Sequence, residues 1–326
     1  MFSTEIIDNL VEKGIRSIRI PAEPENLYTP ISYTIGLGGK HLRPRLCLTS
    51  YNLFDDNITD EIIYPAVALE IFHQFTLLHD DLMDNSPTRR GRPTVFAKWG
   101  TDAAVLCGDA MFLMAYKYLF LSPAGALKGV ADLFNDTAEK VLVGQQLDID
   151  FETMPVVTMD EYINMISLKT GALIAGAAKM GALLAGAPES ACDALWDFGM
   201  KTGIAFQITD DYLDTFGDAS IFGKPIGGDI VMNKKTWLLV EALHRARTDN
   251  NRKTQLEHLL KMDSDPQEKI SEVRRLYVEL GLQEGAREAI LKYHEEALEA
   301  LSRAGIGEEG MERMQSLAEG LIHREK

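Results

Sequence analysis

Cysteine is scarce in this chain, and the little there is forms no pattern. Three occur in 326 residues, Cys47, Cys107 and Cys192, far apart and in apolar surroundings. No CxxC pair and no Cys/His spacing is present, which excludes a zinc finger or a dithiol redox motif. Buried thiols in a reducing, cytoplasmic setting are expected instead. Positive charge is also in deficit: 33 Lys and Arg against 49 Asp and Glu leave a net charge of −16. Without a basic stripe the chain is not expected to bind nucleic acid. Strand signals are weak, because β-branched runs are short and no Asn-Gly or Asp-Gly pair separates alternating segments. Residues Met1 to Leu10 carry no basic stretch followed by an apolar one, so no signal peptide is visible. Long apolar runs are missing too. Thr170 to Pro188 comes nearest, but it is rich in Gly and Ala and is interrupted by Lys179. A Lys near the centre of a membrane span costs roughly 2.5–3.5 kcal/mol, and Ala and Gly recover little of it. A closely packed buried helix is expected there, and no integral membrane segment.

What is present is helical periodicity. Apolar residues recur at three and four over Ile62–Met83, Asp102–Phe120, Leu127–Ile149, Met159–Leu184 and Ala191–Phe216. The pattern continues over Ile230–Arg247, Lys253–Lys261, Gln267–Leu280, Glu284–Ala304 and Gly310–His323. Pro87, Pro93, Pro123, Pro155 and Pro188 punctuate it, and Thr158 with Glu161 forms an N-cap signal. No low-complexity linker or composition shift divides the chain. The expectation is a single all-α domain over residues 1–326, of ten or more helices.

Two acidic clusters stand out on this background, Asp80-Asp81-Leu82-Met83-Asp84 and Asp210-Asp211-Tyr212-Leu213-Asp214. Each has the form DDxxD and ends a long apolar helical stretch. At about 3.6 residues per turn, Asp80 and Asp84 share one face while Asp81 points about 100° away, and Asp210, Asp211 and Asp214 repeat the arrangement. Carboxylates aligned on two facing helices repel one another unless cations neutralise them. Magnesium suits the task, since it takes oxygen ligands and is usually held by one or two carboxylates plus substrate phosphates.

Bases lie near both clusters. Gly38-Gly39-Lys40-His41-Leu42-Arg43-Pro44 is a glycine-rich turn followed by cations, and Arg and Lys suit phosphate oxygens. His73 falls seven residues before Asp80, on the same helical face two turns deeper. Arg89 and Arg90 follow the first cluster. Lys169-Thr170 lies in mid-helix, and Gln207 precedes Asp210 by three residues. Lys224 and Lys234 follow the second cluster.

The strings GGKHLRP, FHQFTLLHDDLMD, RRGRPT, LKTG, FQITDDYLD and FGKPIGGDIVMNKKT run in order from Gly38 to Thr236. Together they resemble the trans-isoprenyl diphosphate synthase (polyprenyl synthetase) family. The resemblance implies an isoprenoid synthase fold of mostly antiparallel helices around a deep central cavity, in a homodimer. It implies magnesium-dependent head-to-tail condensation of isopentenyl diphosphate with an allylic diphosphate (dimethylallyl, geranyl or farnesyl). Asp80, Asp84, Asp210 and Asp214 would carry the metal, three ions in all, with Asp81 and Asp211 in the same catalytic motifs. Lys40, Arg43, His73 and Arg90 would hold isopentenyl diphosphate. Arg89, Lys169, Lys224 and Lys234 would hold the allylic diphosphate, with Thr170 and Gln207 near its reacting carbon. His41 departs from the family, which often has Arg there, and leaves one charge of the isopentenyl site in question.

Product length would be set below the first motif. Phe75 lies five residues before Asp80 and points about 140° from it on an ideal wheel, so periodicity alone favours Thr76 or Phe72 as the wall. In the family an aromatic at this fifth position goes with short products. With the small Thr76 beside it and no insertion in the motif, the pattern resembles geranylgeranyl-forming enzymes; farnesyl diphosphate is the alternative. A terpene cyclase would not need Lys40, Arg43 and His73. A noncatalytic partner subunit typically loses aspartates that this chain keeps.

Overall fold

The computed structural model describes residues 1–217, 226–262 and 265–322. Among these the regular structure is helical apart from one two-stranded hairpin. The residues gather into two compact units: Met1–Asp136 with Gly176–Trp196 and Ser302–Met314, and Thr137–Ala175 with Asp197–Leu301 and Gln315–Lys326.

The first unit opens with three helices outside the stretches named above: α1 (Thr4–Arg16), α2 (Glu25–Gly36) and α3 (Leu42–Asn52). Ser3 caps α1 by accepting from the Ile6 amide at 3.3 Å, and Lys13 and Arg16 occupy its last turn, where the helix dipole favours cations. Its Gly14 lets α1 close on α4 (Asp60–Met83), since a Cβ there would lie 2.6 Å from Ile63. Helix α4 packs between α3 and α6 (Thr101–Leu119) and buries Ile71 and Phe72 completely.

After α4 comes the hairpin β1 (Thr88–Arg89) and β2 (Arg92–Pro93), followed by α5 (Val95–Trp99). Arg90 and Gly91 form its turn with φ of 53° and 72°. Two positive φ values in a two-residue loop define the turn that matches strand twist, and Asn-Gly is its usual signal. Here Arg-Gly takes that place, which is why the hairpin escapes a sequence reading.

The remaining helices are α7 (Leu127–Thr153), α8 (Met159–Ile166), α9 (Ala172–Leu184), α10 (Glu189–Phe216), α11 (Gly228–Met232) and α12 (Trp237–Ala246). Then follow α13 (Asn250–Leu260), α14 (Pro266–Glu279), α15 (Leu282–Ser302) and α16 (Glu308–Ile322). The core of the second unit includes Tyr162, Ile208, Leu238, Leu276, Tyr277 and Leu282.

Two sequence expectations need correction. The stretch Met159–Leu184 is not one regular helix, because Ser167–Gly171 widens into a π-helical turn between α8 and α9. The stretch Ile230–Arg247 is two helices. Asn233 ends α11 in the left-handed region at φ 54°, and Thr236 caps α12 by accepting from the Leu239 amide. Within Thr170–Pro188, α9 has 13 residues, and no described helix is long and apolar enough to cross a membrane. It is packed closely instead: a Cβ on Gly181 would meet the Cys47 carbonyl at 2.0 Å.

Candidate active site

The first aspartate motif ends α4. Asp81 is buried, and both its oxygens accept from Arg89 Nε at 2.9 and 2.8 Å. Arg89 Nη2 also lies 3.5 Å from Asp80 Oδ2. Burial disfavours the Arg89 charge, but the Asp81 hydrogen bond and the charges of Asp81, Asp80 and Asp84 outweigh it and hold the guanidinium above its ordinary range. Asp84 is exposed at the helix end.

Arg90, turned aside by its positive φ, donates to the Gly38 carbonyl. Gly39 permits this approach, since a Cβ there would sit 3.0 Å from the Arg90 guanidinium. The glycine-rich turn ends with His41 in the left-handed region (φ 45°) at the start of α3. Burial brings the Arg43 guanidinium down to about 10, with Glu70 opposing it, so Arg43 is charged at neutral pH. Burial and then Arg43 push His73 well below the usual imidazole range, which makes it neutral there. Lys40 is exposed. Glu70, one helical turn before Gln74, was not marked by any sequence signal. It is 4% exposed, 3.1 Å from His41 Nδ1, and accepts from Gln74 Nε2 at 2.8 Å.

Below the motif an aromatic group fills the first unit. The Phe75 ring lies 5.5 Å from Phe72, 5.3 Å from Phe112 and 4.8 Å from the His79 ring. Thr76 turns its hydroxyl back to the His73 carbonyl at 2.8 Å.

The second motif ends α10 in the second unit. Asp211 is buried, and its Oδ2 accepts from the Tyr162 hydroxyl at 2.5 Å and the Trp237 amide at 2.8 Å. Its Oδ1 accepts from Gln207 Nε2 at 3.1 Å, and the Gln207 carbonyl oxygen accepts from the Thr170 hydroxyl at 2.9 Å. The amide of Gln207 is therefore fixed with its oxygen toward Thr170. Burial and the neighbouring Asp229 raise the Asp211 carboxyl to about 7 despite these donors. Asp214 accepts from the Asp229 amide at 3.0 Å.

The bases of this unit meet on a residue the sequence reading passed over. Asp148 on α7 lies 2.6 Å from Lys169 Nζ and 3.7 Å from Lys234 Nζ. Burial would raise the Asp148 carboxyl, but the charges of Lys234 and Lys169 hold it below its ordinary range. The π-helical turn presents Lys169 and Thr170, and such single-turn bulges recur at functional sites. Gly144 accommodates that turn, since a Cβ there would lie 2.2 Å from the Lys169 backbone nitrogen. Lys224 lies outside the described residues.

Replacing Tyr162 with Phe removes a donor from a buried carboxylate. A loss of about 1–3 kcal/mol of stability is expected, read as a lower denaturant midpoint; an unchanged midpoint would show that Asp211 does not depend on the hydroxyl.

Each unit thus combines one aspartate motif with cations. Among the described residues no three His, Cys, Asp or Glu side chains form a ready-made metal cluster. The donor chemistry nevertheless suits magnesium, which needs only one or two carboxylates when phosphates complete its shell.

A family profile, polyprenyl synthetase, matches residues 24–279. A geranylgeranyl diphosphate synthase from Methanosarcina mazei is 38% identical over 238 residues, 72% of this chain and 73% of that protein. A crystal structure of a geranylgeranyl pyrophosphate synthase superposes with a TM-score of 0.93 at 36% identity, covering 100% of both chains. The Corynebacterium glutamicum geranylgeranyl pyrophosphate synthase, solved with isoprenyl diphosphate and magnesium, gives a TM-score of 0.86 at 27% identity over 98% of each chain.

Proposed function

This chain belongs to the polyprenyl synthetase family and is a prenyltransferase, and from that premise we propose that it makes geranylgeranyl diphosphate by adding isopentenyl diphosphate head-to-tail to allylic diphosphates. The observation that carries the reading is that each aspartate motif has basic residues of its own unit near it, as a reaction between two diphosphates requires. Residues 1–326 are read as one catalytic domain.

Lys40, Arg43, His73 and Arg90 would bind isopentenyl diphosphate. Lys169, Lys234, Lys224 and Arg89 would bind the allylic diphosphate. Asp80, Asp84, Asp210 and Asp214 would hold magnesium, three ions with diphosphate bound. When bound, the metal neutralises charge on the departing diphosphate as a Lewis acid. The lysines add preorganised positive charge at the same leaving group. The allylic carbon–oxygen bond breaks with its electron pair leaving on the diphosphate. The Gln207 carbonyl and the Thr170 hydroxyl oxygen then offer negative dipole ends to the allylic cation without bonding to it. The isopentenyl double bond supplies the electrons of the new carbon–carbon bond, and a proton departs to the released diphosphate.

The test is incorporation of labelled isopentenyl diphosphate with dimethylallyl, geranyl or farnesyl diphosphate in magnesium, and its loss with a chelator. Incorporation only after adding a second protein would instead favour a noncatalytic partner subunit.

The reading includes a homodimer. Leu106, Leu113 and Phe120 are exposed apolar residues seven apart, and so form one stripe along α6. Leu113→Glu should convert a dimer to a monomer in sedimentation equilibrium; a dimer that persists would place the interface elsewhere.

A further inference from the structure

Asp211 shares a motif with two carboxylates assigned to magnesium, yet it is only 5% exposed. It follows Asp210 directly, so its side chain leaves α10 about 100° away from that of its neighbour. Protein donors meet it there. The Tyr162 hydroxyl and the Trp237 amide both donate to Oδ2, and Gln207 Nε2 donates to Oδ1. An ionised carboxylate accepts at roughly four lone-pair sites, so most of its capacity is filled from within the protein. The donors stand on segments that the proposed chemistry uses. Tyr162 lies on α8, which runs into the π-helical turn of Lys169 and Thr170. Gln207 lies one turn before Asp211 on α10. Trp237 opens α12, shortly after Lys234.

This arrangement dictates which end of the Gln207 amide faces Thr170. A carboxylate only accepts, so Oδ1 takes the NH2 end of Gln207 and leaves the carbonyl oxygen to the Thr170 hydroxyl at 2.9 Å. In Asp211→Asn the new side chain has one oxygen. The Trp237 N–H can only donate, so it claims that oxygen together with the Tyr162 hydroxyl. The new NH2 then confronts the NH2 of Gln207. Turning the Gln207 amide over relieves the conflict, but it puts the positive end of the dipole where the carbonyl oxygen was. Resting on the synthase reading above, we propose that Asp211 is a positioning residue rather than a metal ligand, setting the Gln207 amide so that its carbonyl oxygen, beside Thr170, meets the allylic cation.

Asp211→Asn should lower kcat about a hundredfold, the scale of one misplaced dipole where charge develops, with the KM of each diphosphate within about twofold of the parent. The distinguishing readout is the pair Asp211→Asn with Gln207→Glu, which exchanges acid and amide across the 3.1 Å contact. The exchanged acid accepts from the exchanged amide on one side and from Thr170 on the other. The pair should therefore recover at least about tenfold in kcat over Asp211→Asn alone. Gln207→Glu alone sets two carboxylates against each other and should be slower than the pair. Assays at about pH 8 keep Asp211 ionised, above the value of about 7 to which burial raises it. Magnesium binding is read without turnover, by calorimetric titration in the presence of inorganic diphosphate. There Asp211→Asn should match the parent within about twofold, whereas Asp210→Asn should bind at least about tenfold more weakly. Unchanged kcat in Asp211→Asn, a pair no faster than Asp211→Asn, or magnesium binding weakened as far as in Asp210→Asn would overturn the proposal. If Asp211→Asn fails to fold by circular dichroism, the pair is compared with Gln207→Glu instead, and a pair no faster than that variant would overturn it equally. Absence of condensation by the parent protein would count against the synthase reading, whereas a parent that condenses, with variants that behave in any of these contrary ways, would count against the role of Asp211.

Discussion

Replacing Asp80 with Asn should lower kcat by about three orders of magnitude with little change in stability. Asn matches Asp in size, and Arg89 approaches Asp80 only to 3.5 Å. Arg89 keeps its main partner, because Asp81 accepts from its Nε through both oxygens. Arg89 therefore stays anchored. The chemistry loses more, since departure of an allylic diphosphate requires its charge to be met by groups already in place, and an amide oxygen brings no negative charge with which to hold a metal ion there. Steady-state kinetics at saturating magnesium, beside a thermal melt, measure both effects. A variant with near-parental kcat would remove the first motif from the mechanism. The Asp81→Asn variant should behave differently, because it strips Arg89 of its closest counter-charge inside the protein. Its defect should include a lowered melting temperature as well as slower turnover.

Replacing Phe75 with Ala should change the product rather than the rate. Phe75 is 7% exposed and stacks in a group with Phe72 and Phe112. Deleting such a ring opens space that the neighbours fill only in part, at a cost of up to about 3–5 kcal/mol for a fully packed Phe. A growing prenyl chain entering that space recovers some of the lost contact. The group is more than one ring deep: Phe112 stands 5.9 Å from Phe72 and 5.2 Å from Tyr116, and Phe72 lies 5.3 Å from Phe134. The single variant should therefore lengthen the main product by about one isoprene unit, and Phe75→Ala with Phe112→Ala by more. Chromatography of the dephosphorylated products distinguishes these outcomes. Unchanged length in Phe75→Ala would make Phe75 ordinary core packing. Thr76, the wall favoured by the helical wheel, folds its hydroxyl back on the His73 carbonyl, and Phe72 is wholly buried. Both facts leave Phe75 as the residue to test.

The helices that carry the motifs were legible because one period governs them. Ile62–Met83 and Ala191–Phe216, read from spacing, differ from the observed Asp60–Met83 and Glu189–Phe216 by two residues at one end. Helices α2 and α3 were missed since they are short and carry Pro30 and Pro44, whereas α1 does bury Ile7, Val11 and Gly14 at helical spacing and its signal was legible. The same limit applies to the site. Spacing identified Asp80, His73 and Gln207, which are ordered along single helices. It could not find Glu70, Asp148 or Tyr162, none of which belongs to a motif in its own segment. Their importance comes from partners far away in sequence: Glu70 meets His41, Asp148 meets Lys169 and Lys234, and Tyr162 meets Asp211 across 49 positions. The π-helical turn at Ser167–Gly171 was hidden for another reason: one extra residue rotates the following face by about 100°, but the almost wholly apolar α9 has too little polar contrast to reveal it.

The most direct test is to incubate the protein with magnesium, farnesyl diphosphate and labelled isopentenyl diphosphate, and to chromatograph the dephosphorylated products. Label in geranylgeraniol is the predicted result. Unlabelled cyclic hydrocarbon formed from farnesyl diphosphate alone, or no labelled linear alcohol with any allylic primer, would contradict the account.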